Sequence, residues 1–264
     1  MPSKQFSSLD DGFVTVCGKY IYKSLLPVLI GKKKVLEIGC ADGNITRFLI
    51  NHDIKLTCID PDQKLLDNLP PTEIYCLDKL NHKGMVINKV CCKFEDWNKE
   101  FSKEINDVGF YESIKIKKQM EHDFIICSLV LEHVEDINIF MKQIQNCCHD
   151  KTVVYFVVPN AFSYHRQGAD SINMIKQIDS FSEKDKQVGH KHYFNPYSFR
   201  KVLNRYFNIT NFGGIMFKPL PDYDMINCDF SANKRDLYEM YFNVGQYHPT
   251  ECSLLTATCM LKES

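Results

Sequence analysis

Apolar residues in this chain come in short runs separated by polar stretches, and from Val35 onward the runs alternate between two periods. Continuous apolar runs near 35–38, 55–59, 86–92, 123–129 and 152–158 read as buried strands. Between and after them, apolar positions at helical spacing near 44–51, 62–68, 136–148 and 196–206 read as helices. Strand and helix in alternation predict an α/β domain: a mostly parallel sheet with helices on both faces. Two further strands fall near 209–217 and 252–261, with a helix near 233–243 between them. Residues 1–30 are expected to be helical from Asp11, with Tyr20, Tyr22, Leu25, Leu26 and Leu29 on a mixed apolar face and Pro27 bending or restarting the helix. The stretch Asn98 to Met120 lengthens the third connection. Residues 161–191 and 219–250 break the alternation as two long insertions, expected to form a lid or acceptor pocket. The chain is expected to be a single domain over 1–264.

The first strand runs into Val35-Leu36-Glu37-Ile38-Gly39-Cys40-Ala41-Asp42-Gly43, with Asn44 opening the next helix. A strand, a tight glycine turn and a helix build a nucleotide crevice, and the glycines let the backbone approach a ligand. The spacing Gly-x-Ala-x-Gly departs from the dinucleotide fingerprint. Glu37 and Asp42 favour a cationic, nucleoside-like ligand over a pyrophosphate, and S-adenosylmethionine (SAM) has that character. The second strand ends in Asp60, placed after the turn where a carboxylate accepts from ribose hydroxyls. Pro61 or Asp62 is expected at the adenine. Phe94 is expected to stack on the base, with Glu95 or Asp96 accepting from its amine. The fourth run leads from Ser128 and Leu129, expected beside the sulfonium, into Leu131-Glu132-His133-Val134-Glu135-Asp136.

In this order and spacing the four pieces resemble the class I SAM-dependent methyltransferases, over about residues 31–160. Val158-Pro159-Asn160 with Tyr164-His165-Arg166, then Gly189-His190-Lys191-His192-Tyr193-Phe194 and Phe217-Lys218-Pro219-Leu220-Pro221, are similar to the ubiquinone-biosynthesis O-methyltransferase branch. They also resemble small-molecule methyltransferases of bacterial capsule and secondary-metabolite clusters. The resemblance implies a Rossmann-like sheet of seven strands with an antiparallel edge pair, SAM as donor and S-adenosylhomocysteine as product. It implies cofactor contacts at Glu37, Gly39, Cys40, Ala41, Asp42, Gly43, Asn44, Asp60, Pro61, Phe94, Glu95, Asp96, Ser128, Leu129 and His133. Ala41 stands where many relatives have glycine.

Methyl transfer to a hydroxyl needs alignment and removal of one proton, a task suited to histidine. His133, His165 and His192 are the candidate catalytic groups. His190 and His192 alternate across an extended segment, so only one faces the cleft. Tyr164, Arg166, His190, Tyr193 and Lys218 are candidates for the acceptor, and Arg166 with Lys218 inward would favour an acidic one. The expected acceptor is an oxygen of a small metabolite, such as a sugar, phosphate or phosphoramidate group of a surface-polysaccharide precursor. An amine acceptor is the alternative, with Glu132 or Glu135 near the sulfonium. A non-catalytic SAM-binding or scaffold protein is a reading of another class.

Composition narrows the partners. The 264 residues carry a formal charge of −1, with 44% hydrophobic and 25% charged residues. That balance gives no basic stripe for nucleic acid; Lys115-Ile116-Lys117-Lys118 reads as a solvated loop. No apolar run spans a bilayer and no signal core follows Met1, so a cytoplasmic protein is expected. The twelve cysteines lack zinc-ligand spacing, so no metal site is expected and reduced thiols are. Nothing in the sequence sets an oligomeric state.

Overall fold

A computed structural model describes residues 12–50, 52–70, 86–97, 120–220 and 234–262. The expected connection over 98–119, with its basic run, lies outside them, as does 221–233 of the second insertion.

Helix α1 (Gly12–Leu29) precedes β1 (Lys34–Ile38), α2 (Thr46–Leu49), β2 (Lys55–Asp60), α3 (Gln63–Asp67) and β3 (Val86–Cys91). Then come β4 (His122–Ser128), α4 (Ile137–Asn146), β5 (Cys148–Pro159), α5 (Tyr164–Ser171), α6 (Glu183–Gln187) and α7 (Pro196–Tyr206). Strand β6 (Phe207–Ile215), helix α8 (Lys234–Gly245) and β7 (Leu254–Leu261) complete the order. The strands form one seven-stranded sheet in the order β3-β2-β1-β4-β5-β7-β6. The first five run parallel, and β7 enters antiparallel between β5 and β6. This is the Rossmann-like α/β sheet with its antiparallel edge pair. Strand order reverses between β1 and β4, so the crevice opens at their carboxyl ends.

The central strands are apolar on both faces because helices cover both. Val35, Leu36, Phe124, Ile125 and Ile126 are fully buried, each side chain contributing about 1.5–3 kcal/mol through burial. One face packs on α1 and α8, where Tyr20 stacks on Phe242 with ring centroids 5.0 Å apart. Phe140, Phe199 and Leu203 of α4 and α7 cover the other face. Pro27 sits inside α1 without ending it. In place of the helix expected from Asn44, a turn occupies 41–45 and only Thr46–Leu49 is helical, because Ala41 and Gly43 adopt left-handed backbone. Among the described residues no cysteine forms a disulfide, and no helix is long and apolar enough to cross a membrane.

Candidate active site

The glycine turn starts where β1 ends. Gly39, Ala41 and Gly43 have φ of 68°, 47° and 88°, a region that costs a residue with a side chain about 1–2 kcal/mol. Close packing adds to this: a Cβ on Gly39 would lie 2.3 Å from Val130 Cγ2, and one on Gly43 2.6 Å from Leu69 Cδ2. At both positions the space left by glycine is filled by a neighbouring side chain of the protein. Helix α1 meets the turn through Gly18, where a Cβ would lie 2.6 Å from the Asn44 carbonyl oxygen.

Beneath the turn, Glu37 is buried and accepts from Thr46 Oγ1 at 2.7 Å and from the Cys58 thiol at 3.8 Å. Burial pushes its carboxyl up to about 7, against those two donors. It ties α2 to the sheet. Cys40 lies buried beside Cys58, and burial with that thiol contact keeps it protonated. The Asp42 carbonyl accepts from Arg47 Nη2 at 2.8 Å.

Asp60 closes β2 at 6% exposure. Its Oδ2 accepts from the Ala41 amide and its Oδ1 from the Asp62 amide, both at 2.9 Å. Burial raises its pKa while the two amides oppose the rise. Each carboxylate oxygen can accept a second hydrogen bond, so a rigid pair of acceptors remains at the strand end. That pair of acceptors fits the two ribose hydroxyls of SAM, whose contribution when bound is a methyl group on a sulfonium. Pro61 follows directly, its carbonyl accepting from Cys91 Sγ at 3.7 Å.

Phe94 is corrected. It is 3% exposed and packs edge-on against Phe140 with centroids 5.3 Å apart, so it belongs to the core and not to an adenine platform. The helical turn at 94–97 leaves Glu95 half-buried and Asp96 exposed, with the Glu95 carbonyl held by Gln143 Nε2 at 2.9 Å. At the end of β4, half-buried Ser128 is followed by Leu129 at φ 57°, its amide bonded to the Val157 carbonyl. Sequence pattern carries no sign of this backbone strain.

Beyond Leu129, the loop brings Glu132 and His133 against the 189–192 segment. Lys191 and His192 amides donate to the Glu132 carbonyl at 2.7 and 3.1 Å. The His133 and His190 rings meet edge-on with centroids 4.8 Å apart. Burial, then the neighbouring His190, lowers His133 to about 4, while a hydrogen bond to the Gly189 backbone opposes the shift. Glu132 is pushed by burial to about 8. The His192 ring lies against the Val134 carbonyl at 2.9 Å. Of the alternating pair, then, His190 joins His133 and His192 holds the loop.

The remaining acceptor candidates sit in or beside the 161–191 excursion. Arg166 is buried, and Nε with Nη2 donates to the carbonyls of Ala161, Ile178 and Ser180. Its guanidinium also stacks on Tyr193 and lies 3.9 Å from Asp185. This corrects the expectation of a bidentate grip on an acidic acceptor: most of its donors are spent on the excursion itself. Tyr193 stacks on Phe181 in the same cluster. His165 is half-buried on α5, and Tyr164 packs on Phe217 with centroids 4.8 Å apart. Lys218 is buried after β6. Asp185 escaped the sequence reading although Ser182-x-x-Asp185 carries the signal of a capping box. The Ser182 amide and hydroxyl donate to its Oδ2 at 2.7 and 2.6 Å, and its other oxygen faces His190 Nδ1 at 3.0 Å. Against the cost of burial, His190 and Ser182 hold Asp185 at about 2.

Comparison with known proteins agrees with this geometry. No curated protein matches the chain. Among solved structures it is similar to a SAM-dependent methyltransferase from Archaeoglobus fulgidus, 14% identical, with 92% of this chain and 94% of that one covered at a TM-score of 0.53. It is similar also to a SAM-dependent methyltransferase from Thermotoga maritima described as a possible histamine N-methyltransferase (11% identity, 95% and 92% covered, TM-score 0.52). A third is a SAM-dependent methyltransferase, described as such by inference, from Listeria monocytogenes (13%, 94% and 99%, 0.51). At such identities these likenesses speak for the fold. The methyltransferase domain family matches residues 17–211, from α1 into β6. With the turn, Asp60 and the β1/β4 crevice all inside that span, the chain belongs to the methyltransferase domain family.

Proposed function

We propose that the methyl group goes to an oxygen of a small-molecule acceptor held between the loop after β4 and the 161–191 excursion. One observation carries this reading: the imidazoles of His133 and His190 meet at the carboxyl edge of β4, beside the switch point. The thioether leaves without acid assistance, so the chain must align the acceptor and see its hydroxyl proton removed. Imidazoles at that edge suit the second task. Asp60 and the turn hold the donor, and Tyr164 with Phe217 offers an aromatic wall.

With Arg166 engaged in the excursion, a neutral hydroxyl is favoured over an anionic group. A sugar hydroxyl of a surface-polysaccharide precursor is the narrower form of the proposal, supported by the resemblance of the Val158-Pro159-Asn160 and Gly189–Phe194 segments. The amine alternative draws on one observation, the buried carboxylate of Glu132 beside the same edge.

The test is product formation from SAM with a panel of sugars, sugar phosphates and phenols beside their amino counterparts. Thermal unfolding with S-adenosylhomocysteine runs in parallel. Ligand at about 100 times its Kd adds about 2.7 kcal/mol, and Asp60→Ala is expected to abolish the shift. His133→Ala is expected to keep the shift and lose at least about 100-fold in rate. Methylation of amines alone, with His133→Ala as fast as the parent, would replace the oxygen reading with the nitrogen one.

A further inference from the structure

Three side chains with metal-ligating atoms converge at the carboxyl edge of β4, and one of them, His133, is also an expected cofactor contact. Glu132, His133 and His190 each place one such atom so that all lie within 4.8 Å of one another. Glu132 is 1% exposed and neither of its carboxylate oxygens has a hydrogen-bond partner. Leaving a carboxylate buried without a donor costs several kcal/mol if charged. Native interiors avoid that cost by neutralising such a group, pairing it or letting it bind a metal.

Each of the two histidines lies beside a group that can orient a metal ligand. A ligating histidine almost always gives its second ring nitrogen to a carboxylate or a carbonyl, which fixes the ring and directs the other nitrogen to the ion. His190 Nδ1 lies 3.0 Å from Asp185 Oδ1, and Ser182 holds that carboxylate through its amide and hydroxyl. The His133 ring lies beside the Gly189 backbone. The amides of Lys191 and His192 on the Glu132 carbonyl lock the two ligand-bearing segments together. Imidazole and carboxylate ligands hold such an ion at roughly 2.0–2.2 Å, so the three atoms, within 4.8 Å of one another, draw closer on binding. Two imidazoles and one carboxylate suit first-row divalent ions such as zinc, cobalt and manganese, and leave coordination positions open.

We propose that Glu132, His133 and His190 bind a first-row divalent metal ion, with Asp185 and the Gly189 backbone orienting the two histidines. Its use in catalysis rests on the oxygen-acceptor reading above. An acceptor hydroxyl at an open position loses its proton to solvent more readily. Its oxygen then forms the bond to the methyl carbon as the carbon–sulfur bond breaks, the electron pair staying on sulfur as the thioether. His133 acts here through the ion, and Asp185 is a positioning residue.

The full chain, freed of metal with a chelator and dialysed, is titrated with Co²⁺ alone and followed by visible absorption. Zn²⁺ and Mn²⁺ uptake is read by elemental analysis. The expected result is one ion per chain, with affinity at least about 100-fold weaker in Glu132→Gln and in His190→Ala. Asp185→Asn should weaken it by about 10–100-fold, with the parent circular-dichroism spectrum retained. Absence of uptake by a folded parent, or uptake unchanged in both ligand variants, overturns the proposal. The S-adenosylhomocysteine shift measured on the same samples separates the two readings: a shift without metal uptake sinks only the metal site. Uptake without a shift leaves the metal site standing and removes the donor site on which the oxygen-acceptor reading depends.

Discussion

Gly39 cannot carry a side chain for two independent reasons. Its φ of 68° penalises any Cβ, and that Cβ would lie 2.3 Å from Val130. Gly39→Ala is therefore expected to destabilise by about 2–4 kcal/mol, about 1–2 from the backbone and the rest from overpacking. Urea unfolding checks it: a loss of only about 1–2 kcal/mol would show that Val130 moves aside freely, and one under about 0.5 kcal/mol would sink the backbone argument too. Ala41 adopts the same backbone region with only a methyl group to accommodate. Leu129 holds a left-handed conformation with a larger side chain, two positions before the segment that carries Glu132 and His133. Strain of this kind persists where the surroundings over-determine it and gathers at active sites. Here the Leu129 amide is pinned to the Val157 carbonyl of β5.

At the scale of elements, the 161–191 excursion owes its order to one buried cation. Arg166 gathers the carbonyls of Ala161, Ile178 and Ser180 and lies over Tyr193, while Asn160 bonds the Thr250 and Cys252 carbonyls at the excursion's base. Removing the guanidinium leaves those carbonyls without their donor, at about 1–3 kcal/mol each where they stay buried. Arg166→Met is expected to speed amide exchange at 176–190 by at least about tenfold while the sheet amides keep their protection. Hydrogen exchange with mass spectrometry reads this directly, and unchanged exchange there would show that the excursion is held by its other contacts. By contrast, Lys19 and Lys23 on Glu239 join α1 to α8 through exposed pairs. Such pairs are worth about 0–1 kcal/mol, so the clasp between these helices rests on Tyr20 and Phe242.

For the whole molecule, pH stability carries the mark of His122 at the start of β4, the edge away from the active site. Burial, then the charge of Lys34, lowers it to about 4, against the pull of the Met120 carbonyl and Asp123. The folded chain keeps this ring neutral while the unfolded chain protonates near 6.5. Its contribution is therefore complete above about pH 6.5 and is lost as pH falls toward 4. Relative to His122→Gln, which does not titrate, the parent is expected to lose up to about 3 kcal/mol across that window. Parallel pH profiles of Tm for the two proteins would sink the prediction. Glu37, raised to about 7 by burial, acts with the opposite sign as pH rises from about 4.5, which is why the comparison uses the variant.

The strands, the turn and Asp60 were legible in the sequence because each depends on local pattern. Continuous apolar runs made parallel strands buried on both faces, and glycine spacing marked a backbone that turns left-handed. The antiparallel pair was legible only through resemblance, since β7 enters between β5 and β6 by contacts distant in sequence. Phe94 was misjudged because an aromatic beside a strand end looks alike whether it faces a ligand or the core. Arg166 was misjudged because sequence shows a cation but not the carbonyls that surround it. The choice between His190 and His192 was open for the same reason: alternation says that one faces inward and cannot say which. The sequence by itself thus determined the sheet, the left-handed turn after β1 and the carboxylate that ends β2, through periodicity and backbone chemistry. Only the tertiary structure brought Glu132, His133, His190 and Asp185 together, because their juxtaposition depends on how the excursion folds back onto the loop after β4.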